Sequence, residues 1–269
     1  MKFNEQYTIE NHIIKFLKEG LGYEYVKPQE FAKLREFENE YVIVSLLTAA
    51  VKKINGVTDE TEAQAVVREV KKLDSNEAFL NVFRNGVNLK DPETGKMRDY
   101  FIVDYDRPEN NHFVVTNQFY FEGNSENIRP DVMVFLNGLP VVDIEAKSPT
   151  ASSSIDYSNA VGQIKRYERN AFKLFWPNCF NIASDGLKTV YGATYATAEY
   201  FLQWREEELE KKYGEELEVT LAALLSHDRL LDIIGNFILF EKEQEGTTKK
   251  ITRYMQYRAT NKIVERVQK

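Results

Sequence analysis

Residues 129–147 read RPDVMVFLNGLPVVDIEAK, and this stretch decides how the middle of the chain folds. Two valine-rich apolar runs, 131–136 and 139–147, lie on either side of Asn137-Gly138. Asn-Gly between apolar runs is the strongest short sequence signal for a β-hairpin. The stretch therefore predicts two antiparallel strands joined by a tight turn.

The hairpin gathers chemically useful side chains at one edge of the predicted sheet. Residues two apart on a strand point to the same face, so Glu145 and Lys147 share a face, and the hairpin returns Asp131 to their side. Two carboxylates, with the backbone carbonyl of Ala146 as a further oxygen donor, suit a hard divalent cation such as Mg²⁺. The bland alternative is a solvated strand face, which is the usual reading of Glu-x-Lys.

A helix predicted over 154–170 follows the hairpin. Gln163 and Tyr167 are four residues apart, so they lie on one face of that helix, and lysine and arginine residues flank them. An amide and a phenol can both donate hydrogen bonds to phosphate oxygens, and the cations add positive potential. Gln-x-x-x-Tyr alone is a weak pattern that also fits a surface face with a partial core.

The remaining chain mixes helical and strand periodicity, which predicts an α/β architecture. The helices are predicted at 7–18, 38–54, 59–73, 75–84, 198–212, 228–240 and 252–267. The strands outside the hairpin are predicted at 98–105, 113–121, 180–184 and 187–191. The charged, glycine-containing stretch 241–250 is the best candidate for a domain boundary.

Composition excludes several classes of protein. The chain has 269 residues, a net charge of −7 and 43% hydrophobic residues, which is typical of a globular protein and argues mildly against a passive nucleic-acid coat. One cysteine, Cys179, excludes an internal disulfide framework and a cysteine-based zinc site. The first residues lack the apolar core of a secretory signal, and no apolar run spans a bilayer, so we expect a cytoplasmic protein with no membrane partner.

The stretch 129–147 resembles the nuclease motif of the PD-(D/E)xK superfamily, and more narrowly that of the R (restriction) subunit of type I restriction–modification enzymes. Gln163 and Tyr167 match the Q-x-x-x-Y element of that group. Further similarity lies in 115–119 and 230–237, and the resemblance is weakest over 27–91. It implies a restriction-endonuclease-like core, with a mixed central sheet flanked by helices and with helical extensions.

The resemblance also implies an activity: a metal-dependent endodeoxyribonuclease that cleaves double-stranded DNA with Mg²⁺, for which Mn²⁺ can substitute. It makes Asp131 and Glu145 metal ligands and Lys147 the catalytic lysine. Gln163 and Tyr167 become helpers on the DNA backbone side.

Two further acids are open to more than one interpretation. Glu10 matches the acidic residue often found on the first helix in this superfamily, and the alternative is an exposed helix glutamate. Asp143 lies on the face of Glu145, where the family more often has an apolar residue. It can tune the metal site or simply face solvent.

The resemblance extends to ATP-driven DNA translocation by a superfamily 2 helicase motor, but the sequence has no Walker A loop. We therefore predict a nuclease domain with a helical extension over 1–245, and over 246–269 a linker with the start of a motor. Gln256 resembles the adenine-contacting glutamine near that start; a surface glutamine is the alternative. The resemblance implies ATP use only in the full-length protein, with modification and specificity subunits as partners. The alternative is a catalytically silent DNA-clamping or subunit-docking module.

Overall fold

A computed structural model describes residues 5–92, 94–147, 156–243 and 246–268. The strands within these ranges are β1 (Glu24–Tyr25), β2 (Val87–Lys90), β3 (Met97–Tyr100), β4 (Phe113–Asn117), β5 (Val132–Leu136), β6 (Leu139–Ala146), β7 (Phe180–Ser184), β8 (Thr189–Ala193), β9 (Ile238–Glu243) and β10 (Gly246–Ile251). The α-helices are α1 (Glu5–Lys15), α2 (Pro28–Ala32), α3 (Val44–Asn55), α4 (Glu60–Lys71), α5 (Asn76–Asn85), α6 (Tyr157–Asn170), α7 (Glu207–Tyr213), α8 (Glu216–Leu225), α9 (His227–Asn236) and α10 (Tyr254–Val267). Short π and 3₁₀ turns add Phe16–Gly20, Pro108–Asn110, Phe172–Phe175 and Ala198–Tyr200.

Six strands form a central mixed sheet in the order β1-β4-β5-β6-β7-β8. β1 runs parallel to β4, and β6 runs parallel to β7, whereas the other neighbours are antiparallel. Helix α6 packs on β6 and β7, and α1 contacts β4, β5 and β6. The predicted α/β class, with a mixed central sheet flanked by helices, is confirmed.

The predicted hairpin lies at the centre of this sheet. Asn137 and Gly138 have φ of 52° and 83°, the left-handed conformation that an Asn-Gly turn supplies at low cost. A Cβ added at Gly138 would lie 2.7 Å from the carbonyl oxygen of Ile43, so only glycine fits there. All residues of β5 and β6 are buried, which makes the hairpin part of the main core.

Several predicted elements begin or end elsewhere. The helix predicted at 38–54 begins only at Val44, because Ile43 is extended and its N–H bonds the carbonyl of Gly138. The strand predicted at 113–121 ends at Asn117, because Gln118 turns into the left-handed region. The strand predicted at 98–105 is shorter than predicted, because β3 ends at Tyr100. Strand β8 lies two residues later along the chain than predicted.

The helices predicted at 198–212 and 228–240 are also wrong in part. Residues 198–200 form a 3₁₀ turn, Leu202 pairs with Tyr191, and only Glu207–Tyr213 is α-helical. Helix α9 ends at Asn236, and the apolar residues that follow form β9, which pairs with β10. The predicted division between residues 245 and 246 falls between these two strands, and the domain assignment stays a prediction.

Other predictions agree closely with the structure. Ser75 caps α5 through its side chain, Asp59 caps α4, and β7 has the predicted bounds. Residues 154 and 155 of the helix predicted at 154–170 lie outside the described residues. Across the ranges described, every helix is too short or too polar to cross a bilayer.

Candidate active site

The structure brings Asp131, Glu145 and Lys147 together at one edge of the sheet. Asp131 immediately precedes β5, Glu145 is the penultimate residue of β6, and Lys147 follows β6 directly. The ammonium Nζ of Lys147 lies 3.6 Å from Oδ2 of Asp131 and 3.7 Å from Oε2 of Glu145. Glu145 is fully buried and Asp131 is only 4% exposed, so this is not a solvated strand face.

Backbone groups fix the two acids. The N–H of Asp131 donates to Oε1 of Glu145 at 3.2 Å, and the N–H of Ala146 donates to Oδ2 of Asp131 at 3.0 Å. Each bond crosses the hairpin, so strand pairing positions both carboxylates. Ala146 contributes its N–H to these contacts. The role of its carbonyl oxygen as a metal ligand stays a prediction.

The surroundings of Glu145 disfavour the charged form of its side chain. Burial, together with the negative charges of Asp143 and Asp131, raises its pKa well above the ordinary value. Among the described residues, Oε2 of Glu145 has no hydrogen-bond donor, and Lys147 approaches it only as an ion pair. An acceptor oxygen with no donor beside a second carboxylate matches the preference of a hard divalent cation.

Asp143 points to the same face and is also fully buried. Neither of its oxygens has a hydrogen-bond partner within the described ranges. Burial, followed by the charges of Asp131 and Glu168, raises its pKa well above the ordinary value. The alternative that Asp143 simply faces solvent is therefore wrong.

Glu10 reaches the same site from helix α1. Its side chain is buried, and its two oxygens accept hydrogen bonds from the side-chain amides of Asn117 and Gln118. The amide of Gln118 also donates to Oδ1 of Asp131 at 3.3 Å. Burial raises the pKa of Glu10. The alternative of an exposed helix glutamate is wrong, although the function of Glu10 remains a prediction.

Gln163 and Tyr167 lie together on α6, as the spacing predicts. The amide of Gln163 donates to the hydroxyl of Tyr167 at 2.8 Å, and that hydroxyl lies 3.4 Å from the carbonyl oxygen of Arg129. Burial and the charges of Glu145 and Asp143 raise the pKa of Tyr167 to about 12. The phenol of Tyr167 therefore lies close enough for the charges of Glu145 and Asp143 to disfavour its ionisation, and it stays protonated at neutral pH.

Gln256 lies in a different part of the molecule. It is exposed in the first turn of α10, where its side-chain oxygen accepts from the N–H of Arg253 at 3.0 Å. It lines a cavity of about 830 Å³ bounded by β8, the β9–β10 hairpin and α10. The predicted contact with adenine stays a prediction.

Sequence reasoning gave no role to Asn117 and Gln118. The available signal is their position, since Asn117 is the last residue of a fully buried strand and Gln118 directly follows it. Within the described residues, no cluster of three or more Asp, Glu, His or Cys side chains has a metal-binding arrangement. The oxygen donors that the sequence predicts for the ion are the carboxylates of Asp131 and Glu145, and a set of so few protein ligands fits a partly solvated Mg²⁺.

Comparison with known proteins gives a consistent family. The family model described as "Type I restriction enzyme R protein N terminus" matches residues 2–200. The chain is 34% identical over 249 residues to a Methanocaldococcus jannaschii protein provisionally described as the type I restriction enzyme MjaVIIIP endonuclease subunit, covering 87% of this chain and 24% of the relative. It is 32% identical over 239 residues to the type I restriction enzyme HindI endonuclease subunit of Haemophilus influenzae, covering 83% and 23%. The chain thus spans about a quarter of the length of these relatives.

Proposed function

The chain belongs to the family of type I restriction enzyme R protein N termini, and on that premise we propose that the edge of its sheet is a metal-dependent DNA cleavage site. The observation that carries this proposal is the convergence of Asp131, Glu145 and Lys147. When both are ionised, two buried carboxylates with one ammonium less than 4 Å from both carry an excess of one negative charge, and after burial the neighbouring acids contribute to the raised pKa of Glu145. Such an excess is stabilised by a bound cation.

Asp131 and Glu145 would hold Mg²⁺, with the carbonyl of Ala146 as a further donor and Mn²⁺ as a substitute. The chemistry that such an ion would supply when bound is polarisation of a phosphodiester and a lower pKa for a water beside it. The ammonium of Lys147 would orient the attacking water and offset the negative charge that develops on the phosphate oxygens. The amide of Gln163 and the protonated phenol of Tyr167 would donate to DNA phosphate oxygens.

The endonuclease subunits named among the relatives support a place in a restriction complex. We propose that the chain acts on double-stranded DNA as part of the R subunit, beside modification and specificity subunits. ATP-driven translocation would belong to the full-length protein, in which cleavage follows movement along DNA. We propose a cytoplasmic location for this function.

Divalent-metal binding by this chain tests the proposal. We expect calorimetry to detect Mn²⁺ binding to the wild-type protein, in the presence of a short DNA duplex, and its loss in Asp131→Ala and in Glu145→Ala. Glu69→Ala is the matched control, because Glu69 pairs with Lys72 on the exposed surface of α4. Absence of binding by the wild-type protein with duplex would overturn the nuclease proposal and favour a DNA-clamping or docking module.

A further inference from the structure

The side-chain amide of Gln118 lies between two carboxylates from distant parts of the chain. Its Nε2 donates to Oε2 of Glu10 at 2.9 Å and to Oδ1 of Asp131 at 3.3 Å. Glu10 comes from α1, and Asp131 comes from the start of the central hairpin. One amide group therefore links the first helix to the metal-binding edge of the sheet.

The backbone of Gln118 has an unusual conformation. Its φ is 47°, which is uncommon for a non-glycine residue and carries a cost that often marks functional sites. Gln118 is the first residue after β4. Its backbone N–H donates to the carbonyl oxygen of Asp131 at 3.0 Å. Both the main chain and the side chain of Gln118 thus contact Asp131.

The neighbouring Asn117 bonds Glu10 through its side-chain amide, whereas the amide of Gln118 bonds both Glu10 and Asp131. The hydroxyl of Tyr25 donates to Oδ1 of Asn117 at 2.9 Å, which fixes the orientation of that amide. Its Nδ2 then faces Oε1 of Glu10. Asn117 holds Glu10 alone, whereas Gln118 holds Glu10 and Asp131 together.

The carboxylate of Asp131 is oriented by two donors on opposite sides. Gln118 bonds Oδ1 and the N–H of Ala146 bonds Oδ2, so the plane of the carboxylate is defined from both the β4 side and the β6 side. The amide also separates two negative groups, Glu10 and Asp131, that repel each other. Without this amide, the hydrogen bond from the N–H of Ala146 would be left to orient the Asp131 carboxylate. The amide would also no longer separate that carboxylate from the negative charge of Glu10.

We propose that Gln118 is a positioning residue that orients the Asp131 carboxylate for cation binding at this site. The inference rests on the proposed metal-dependent function and deepens it. Hydrogen bonds that orient a metal ligand are typically worth about 10–100-fold in metal affinity. A residue that only terminates β4 would have no such effect.

Two substitutions separate the side chain from the backbone. Gln118→Met keeps the size of the side chain and the strained backbone but removes the donor, whereas Gln118→Gly removes the donor and relaxes the positive φ. Tyr195→Gly is the matched control, because Tyr195 is another non-glycine residue with positive φ, at 68°, and it lines the separate cavity beside β8 and α10. Thermal melting checks that all three variants are folded.

We expect calorimetry with Mn²⁺ and a short duplex to show about 10–100-fold weaker binding by Gln118→Met and Gln118→Gly, and unchanged binding by Tyr195→Gly. Wild-type affinity in either Gln118 variant would overturn the inference while leaving the proposed function intact. No binding by the wild-type protein would instead overturn the proposed function, so the two failures are distinguishable.

A second readout needs no metal. In the metal-free protein, we expect the two side-chain N–H signals of Gln118 in a nitrogen-15 NMR spectrum to shift in both Glu10→Gln and Asp131→Asn. Signals that respond to Glu10→Gln but not to Asp131→Asn would show that the bridge to Asp131 is not formed. That result would overturn the inference whatever the metal titration gives.

Discussion

The backbone N–H of Asp131 donates a hydrogen bond to the carboxylate of Glu145 at 3.2 Å, across 14 residues of chain. A reciprocal hydrogen bond runs from the N–H of Ala146 to the carboxylate of Asp131 at 3.0 Å. Each acid is therefore oriented by the main chain at the other end of the hairpin. Fixing the acids through main-chain donors is the preorganisation that the proposed catalytic site needs.

Replacing Lys147 should separate cleavage from movement along DNA. In the full-length restriction subunit, we expect Lys147→Ala to slow cleavage by roughly 10²–10⁴-fold, because a positioned acid–base or orienting group is lost. ATP hydrolysis and strand translocation should persist, since Lys147 contacts only the two acids of the sheet edge among the described ion pairs. Plasmid cleavage and ATPase assays measure the two activities.

Lys72→Ala is the control for Lys147→Ala, because Lys72 pairs only with Glu69 on an exposed helix surface in the described structure. Asp131→Ala and Glu145→Ala should behave like Lys147→Ala. Undiminished cleavage by all three variants would show that the sheet edge is not the cleavage site.

Tyr167→Phe should have a smaller effect on cleavage. The pKa of Tyr167 is raised to about 12, so its hydroxyl is a neutral donor at assay pH. Removing one hydrogen bond to a charged phosphate should slow cleavage roughly 10–100-fold. The pH dependence of cleavage should not change, because the group does not titrate in the assay range. Tyr213→Phe is the control, because the Tyr213 ring at the end of α7 packs edge-on against Phe16 and not against the site residues. An equal loss in both variants would contradict the assignment.

Asp143→Val should stabilise the metal-free protein. Asp143 is fully buried and neither carboxylate oxygen has a hydrogen-bond partner in the described ranges. Removing an unsatisfied buried polar group should raise the free energy of unfolding by about 1–3 kcal/mol at neutral pH. Urea denaturation measures the change. Asp74→Val, at an exposed loop position, should change it by less than about 0.5 kcal/mol.

The stabilisation by Asp143→Val should also depend on pH. The pKa of Asp143 is raised in the folded protein above its ordinary value of 3.8. A raised folded-state pKa contributes stability below the ordinary value, and that contribution is lost as the pH increases. The difference between variant and wild type should therefore grow from acidic to neutral pH. A difference that stays constant would show that the carboxyl is not buried as described.

His227 should make the fold sensitive to mild acid. Its ring stacks on Phe113 with centroids 3.8 Å apart, and its Nε2 is buried with no hydrogen-bond partner among the described residues. Burial lowers its pKa below the ordinary value of 6.5. The stability present above that value is lost as the pH falls through the folded-state pKa, because the unfolded chain binds the proton more tightly.

We expect the wild-type protein to lose more stability than His227→Phe between about pH 7.5 and about pH 5.5. Urea denaturation at both values measures this difference. His12 and His112, which pair with Glu218 and Glu24, are present in both proteins, so their contributions cancel. Parallel losses in the two proteins would contradict the assignment to His227.

Local patterns along the sequence determined the central hairpin and the convergence of its acids and lysine. Asn137-Gly138 specifies the turn, and a register shift between Val134 and Phe135 then moves the pairing by one residue, so that Val132 pairs with Ile144. Asp131, which precedes Val132, therefore lies beside Glu145. The same holds for Gln163 and Tyr167, which are one helical turn apart. These relationships involve contacts within a few tens of residues, so periodicity and turn chemistry predict that the groups converge, whereas the register shift within the hairpin is seen only in the structure.

Only the tertiary structure decided the remainder of the site. Glu10 meets Asn117 across 107 residues, and Gln118 joins Glu10 to Asp131, through packing that no local pattern encodes. The burial of Asp143 likewise depends on helix α6 and the neighbouring strands covering its face of the sheet. Sequence periodicity reports which side of a strand or helix a residue occupies. Which distant element then covers that side is decided by the collective packing of the core.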